Sequence, residues 1–171
     1  MTASQVPPQT VDPIGMTIKR ILLPTDFSDT AAHTLGYARE MAERFGSEVH
    51  VLHVVADPMP QDWAIGAAAL VVSDLLKTWE AAAERRLAEI SLDGIETVRA
   101  IRVGHAFVEI LQYATDNAID MIVMGTHGRG PVQHLLLGSV AETVVRKAPC
   151  PVLTVRHPGH EFVMPASPAA D

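Results

Sequence analysis

The sequence predicts an α/β domain with a five-stranded parallel sheet, doubly wound, with helices on both faces. Three observations predict it. Short apolar runs alternate with segments of helical periodicity, beginning and ending on a strand. Most of the runs are continuous Val, Ile and Leu, the pattern of strands buried on both faces. The segments between them are long enough for crossover helices, which are right-handed in parallel sheets. In folds of this class, ligands bind beyond the carboxyl ends of the strands, where strand order reverses. Function is therefore sought in the loops that follow the strands.

The first strand covers 18–23 and stops at Pro24. Ser28 then suits a helix N-cap, and Asp29 falls in the first turn, where the helix dipole favours an acid. Ala32, Leu35, Ala38, Met41, Ala42 and Phe45 recur at helical spacing, and Gly46 fits the C′ position. The second strand covers 49–55. The stretch 63–90 reads as helical, with Ser73 a candidate N-cap near its middle. Its stripe of Leu75, Leu76, Trp79, Ala83, Leu87 and Ile90 reads as core. The third strand covers 96–103, with Val98 and Ile101 apolar. Phe107, Ile110, Leu111 and Ala114 mark a third helix. A wholly apolar fourth strand covers 121–124, a fourth helix 139–147 and a fifth strand 151–155. The domain is then 17–156. The Pro-containing, mostly polar segments 1–16 and 157–171 are expected to be flexible tails.

The chain's 171 residues suit one domain, and 48% apolar with 19% charged residues excludes disorder throughout. A net charge of −7 argues against nucleic-acid and anionic-membrane partners, which are bound mainly through basic residues. The longest apolar run, 63–72, is about half the ~20 residues of a membrane span. The N-terminus lacks the basic and apolar regions of a secretory signal, so the cytoplasm is the expected compartment. Cys150 is the single cysteine, which excludes an intramolecular disulfide and a cysteine-cluster metal site. Lying between Pro149 and Pro151, it reads as a small buried residue. The histidines show no metal-ligand spacing on one helix face. His50 and His53, three apart on a strand, point to opposite faces.

The richest segment is Gly125-Thr-His-Gly128-Arg129-Gly-Pro-Val-Gln-His-Leu-Leu-Leu-Gly138-Ser139, between the fourth strand and fourth helix. Glycines there let backbone N–H groups approach a phosphate closely. Gly138-Ser139 opens a helix, where free N–H groups and the dipole favour an anion. Ser139 adds a hydroxyl and Arg129 a cation. The same spacing also suits a structural loop without a ligand. After the first strand, Asp26 is placed to accept from ribose hydroxyls. Asp26 and Ser28 equally suit a turn and a helix cap alone. There is no G-x-G-x-x-G after the first strand, which disfavours a nicotinamide or flavin dinucleotide, and no G-x-x-x-x-G-K-[ST], which excludes a P-loop.

Residues 124–156 (MGTHGRGPVQHLLLGSVAETVVRKAPCPVLTVR) resemble the closing signature of the universal stress protein family. Ile21-Leu-Leu-Pro24-Thr25-Asp26-Phe-Ser28 resembles its opening signature, and 51–55 its second strand. The resemblance covers 17–156 and is to the ATP-binding type. It implies a Rossmann-like, adenine nucleotide alpha hydrolase-like sheet in the order 3-2-1-4-5. It implies that Asp26 meets the ribose beside Pro24 and Thr25, and that Val54 contacts adenine through its backbone. Met124 and Gly125 would line the nucleotide, and Gly128, Gly138, Ser139 and Val140 would hold the phosphates. ATP would arrive with or without Mg or Mn. A homodimer through the last strand, from Pro151 to Val155, is also implied. The chain departs from the family pattern at Gly130-Pro131, where relatives often carry Thr-Gly, and at Ala106, where they often carry Pro.

The preferred reading is a nucleotide-responsive regulatory module for stress tolerance. Slow ATP hydrolysis is the upper limit of any activity, because efficient phosphoryl transfer needs a positioned base and metal clamps. No catalytic or metal-ligating residue is assigned. A dimeric interaction module without nucleotide is the competing class, and an electron-transfer flavoprotein domain is disfavoured by length.

Overall fold

The computed structural model describes residues 17–58, 67–126 and 137–156. The expected tails, His127, Gly128, Arg129 and Gly130-Pro131 lie outside the described residues. In chain order the elements are β1 (Arg20–Pro24), α1 (Asp29–Phe45), β2 (Glu48–Val55), α2 (Ala67–Ala88) and β3 (Thr97–Val103). α3 (Ala106–Asp116), β4 (Met121–Gly125), α4 (Ser139–Lys147) and β5 (Val152–Val155) follow. The sheet order is β3-β2-β1-β4-β5, and every pairing is parallel.

This order explains the layers. From β1 the chain steps outward to β2 and β3, then returns to the other side of β1 for β4 and β5. Right-handed crossovers therefore place α1 and α2 on one face and α3 and α4 on the other. The two cores match. One holds Ile21, Leu23, Ala38, Ala42, Val49, Val51 and Leu87; the other holds Leu22, Leu52, Ile110, Ala114, Ile122, Ala141 and Val144. Alternate residues of β1 and β2 feed opposite cores, which is why both faces of these strands carry buried apolar residues.

Local signals hold for α1. Ser28 is its N-cap, its hydroxyl accepting from the Ala31 N–H, and Gly46 closes it in the left-handed conformation at φ 65°. They fail in two places, both in α2. α2 runs unbroken through Ser73, which caps nothing: helix-forming Ala and Leu lie before it and Leu after it, and helix continues on both sides. Its apolar stripe leaves the core towards its start, where Leu75 and Trp79 are 41% and 39% exposed. At 22 residues α2 is ~33 Å long, while the seven residues of β3 span only ~23 Å. The early turns of α2 therefore overhang the carboxyl edge of the sheet. As the expected order 3-2-1-4-5 implies, β3 is an edge strand, with Val98, Arg99 and Arg102 exposed. Arg99 donates to the carbonyls of Leu87 and Ile90, closing the end of α2.

His50 and His53 do face opposite sides. His50 is buried between Glu48 Oε1, at 2.7 Å, and the Tyr113 hydroxyl, at 2.9 Å. The hydrogen bond from His50, with Arg20 adding its charge, holds the Glu48 carboxyl below its ordinary pKa. Cys150 is half-buried rather than buried, and loss of solvent pushes its thiol pKa up, away from reactivity. No helix among the described residues is long and apolar enough to cross a membrane.

Candidate functional site

The reversal of strand order falls between β1 and β4, and the loops after both strands leave from that point. After β1 the chain makes a tight, heavily bonded turn. The Thr25 N–H gives the last rung to Leu52. Phe27 N–H donates to Thr25 Oγ1. Ser28 donates twice to Asp26 Oδ1, from N–H at 3.0 Å and from Oγ at 2.6 Å. Asp26 thus organises the turn, as its residue type allows, and it also lines the adjoining cleft.

Phe27 sits at φ 60°, a left-handed conformation that costs a side-chain-bearing residue roughly 1–2 kcal/mol. Its neighbours enforce it. His53 Nδ1 donates to the Thr25 carbonyl at 2.7 Å, and its ring lies 4.4 Å from that of Phe27. The Arg86 guanidinium lies 4.2 Å from the Phe27 ring centroid and donates to the Phe27 carbonyl. β2 and α2 therefore clamp the turn that carries Asp26.

Beyond this turn lies a cleft of about 330 Å³ lined by Asp26, His53, Val54, Val55, Ala56 and Trp79. That is within the ~300–1,000 Å³ of small-molecule sites. Its floor has a backbone donor and acceptor. The Leu52 carbonyl faces β1 and the Val55 carbonyl faces β3. Backbone groups alternate along a strand, so the Val54 N–H and C=O also face the β1 side. The β1 register ends with Pro24 opposite Leu52. The Val54 pair therefore looks past the end of β1.

On the other side of β1, β4 ends with buried Met124 and half-buried Gly125. Thr126 follows, buried, its N–H bonded to the Val155 carbonyl and its carbonyl accepting from the Gly138 N–H at 2.7 Å. This last bond ties the start of α4 to the end of β4. Gly138 is the extended N-cap of α4 (φ −68°, ψ 153°) and, unlike Ser28, offers no side chain to the helix. The first N–H groups of a helix have no intrahelical acceptor. In α4 those groups belong to Ser139, Val140 and Ala141, since Glu142 N–H already bonds to Gly138.

Residues 17–156 match the Universal stress protein family. The chain belongs to this family. Universal stress protein MJ0531 of Methanocaldococcus jannaschii is 35% identical over 145 residues, covering 84% of this chain and 85% of the relative. The solved structure of MJ0577, from the same organism, superposes with a TM-score of 0.76 at 31% identity, over 85% of this chain and all of that one. Two other solved members share the fold with TM-scores of 0.55 and 0.50, at 20% and 24% identity, each covering over 80% of this chain and 98% of its own. The first is a complex with cAMP; the second, from Archaeoglobus fulgidus, is a complex with dAMP.

Of the residues singled out from the sequence, Pro24, Thr25, Asp26 and Val54 come together at the ends of β1 and β2. Met124, Gly125, Gly138, Ser139 and Val140 come together at the end of β4 and the start of α4. Gly128 and Arg129 lie outside the described residues. Sequence reasoning missed Trp79, His53 and Arg86. Trp79 was expected in the core and instead lines the cleft. Among the described residues, no group of three or more His, Cys, Asp or Glu side chains could hold a metal ion.

Proposed function

We propose that this universal stress protein binds ATP across the ends of β1, β2 and β4 and acts as a nucleotide-responsive regulatory module. One observation carries the reading: three groups with complementary chemistry lie along one edge of the sheet. The Val54 backbone pair suits a base edge. Asp26 suits ribose hydroxyls, with Pro24 and Thr25 beside it. The uncapped start of α4 suits phosphates. The polarity of the ligand follows from charge. Asp26 repels phosphates and α4 attracts them, so the chain of phosphates runs from the β1 turn towards Gly138, Ser139 and Val140. Met124 and Gly125 would line that path, and Gly128 and Arg129 would complete the phosphate end. A Mg or Mn ion would enter with the phosphates, held by them and by Ser139. Any hydrolysis is read as slow.

Isothermal titration of nucleotide-free protein with ATP and magnesium tests this. We expect saturation near one ATP per subunit, and GTP weaker by at least about tenfold. Adenine offers an acceptor at N1 and a donor at N6; guanine reverses both at the same positions and so mismatches a fixed backbone pair. No saturation at millimolar ATP would overturn the reading and leave a dimeric interaction module in its place.

We also propose that β5 pairs with its copy in a second subunit. It is an edge strand of the sheet, as β3 is on the opposite side. The Pro151 and Val155 carbonyls face β4, so the N–H groups of Val152 and Thr154 face outward. Thr154→Pro would remove an outward N–H without breaking a rung to β4. The variant should scatter light as a monomer and melt near the wild-type temperature. A persisting dimer would exclude this edge as the interface.

A further inference from the structure

We infer that the indole of Trp79 is the wall against which the base of the bound nucleotide rests. The inference builds on the ATP reading above. Along one face of α2, Leu87 and Ala83 are 2% and 4% exposed, while Trp79, one turn earlier, is 39% exposed. The same face passes from core to open space, and the space it opens on is the cleft. A tryptophan left partly uncovered there keeps a large apolar plane available for burial by a ligand.

The cleft is divided as a nucleoside is. Asp26 and His53 supply its polar groups; Val54, Val55, Ala56 and Trp79 supply apolar surface. With the ribose at Asp26, the base meets the Val54 backbone along its edge and needs a partner for its face. His53 is committed elsewhere, its Nδ1 to Thr25 and its ring to Phe27. The indole is the ring that remains among the lining residues. Stacking on an aromatic ring is tolerant of base identity, so Trp79 adds affinity and leaves adenine selection to Val54.

The test uses the full chain with Trp63→Phe, which leaves Trp79 as the single tryptophan of the two. ATP should change its emission with the same midpoint as the calorimetric titration. Trp79→Leu should weaken ATP binding roughly 5- to 100-fold. Trp79→Phe should recover most of it. Binding of tripolyphosphate, a probe with no base, should be unchanged in Trp79→Leu. ATP binding to Trp79→Leu within twofold of wild type would overturn the inference. So would a Phe variant as weak as Leu, or equal losses for ATP and tripolyphosphate. In each of those cases wild-type ATP binding would still stand. Failure of the wild-type protein to bind ATP would remove the underlying reading as well.

Discussion

Replacing Gly138 by valine is expected to abolish ATP binding, with a loss of at least about 100-fold, while the protein stays folded. The two effects separate because of where Gly138 sits. Its backbone, at φ −68° and ψ 153°, is extended, and valine adopts that conformation without strain. Valine is a poorer N-cap than glycine, so the start of α4 should lose about 1 kcal/mol at most. The Thr126–Gly138 rung uses main-chain atoms and survives the change. A ligand phosphate, by contrast, must come within hydrogen-bond distance of N–H groups at Ser139 and Val140. A branched side chain on the preceding residue occupies that approach. Titration of ATP into both proteins, with a thermal melt of each, is the measurement. Wild-type affinity in the variant would mean that phosphates do not approach α4, and the start of that helix would leave the site. Gly138→Ala should fall between the two, because a single methyl leaves part of the approach open.

Which parts of this site were legible in the sequence follows from the range of the forces involved. Ser28 and Gly46 were legible because a cap and a left-handed C′ residue act within one helical turn. The point where strand order reverses was legible because continuous apolar runs implied a parallel, doubly wound sheet, and the candidate site was sought there for that reason. Trp79 was not legible. Periodicity says which face of α2 looks inward, but not how far the sheet extends beneath it. That depends on helix length against strand length, a tertiary quantity. β3 was legible as a strand, and Arg99 and Arg102 interrupt its apolar pattern because it lies at the edge of the sheet. The left-handed Phe27 carries no local signal, since glycine or asparagine is the usual marker of such a turn. Its conformation is imposed by His53 and Arg86, which are 26 and 59 positions away in the chain. Distant residues thus shape the turn that presents Asp26, and the same coupling complicates any substitution there.

Asp26 should reveal two separable roles. In Asp26→Ala, the bonds from Ser28 N–H and Oγ to Oδ1 are lost, and the cap of α1 loses its support. Asp26→Asn keeps an acceptor oxygen in the same place, so the turn persists while the charge is removed. The alanine variant should therefore lose about 1–2 kcal/mol of stability and the asparagine variant little. Affinity should behave differently. Hydrogen bonds to a charged acceptor are worth about 1.5–3 kcal/mol, so ATP should bind Asp26→Ala roughly 10- to 100-fold more weakly. Asp26→Asn should fall in between. The decisive comparison is ATP against 2′-deoxy-ATP. The wild type should prefer ATP, and the preference should vanish in Asp26→Ala, because the group that reads the sugar hydroxyl is gone. A full preference for ATP in the alanine variant would show that Asp26 only builds the turn. Loss of the preference without loss of stability in Asp26→Asn would assign the charge to the ligand and the oxygen's position to the fold.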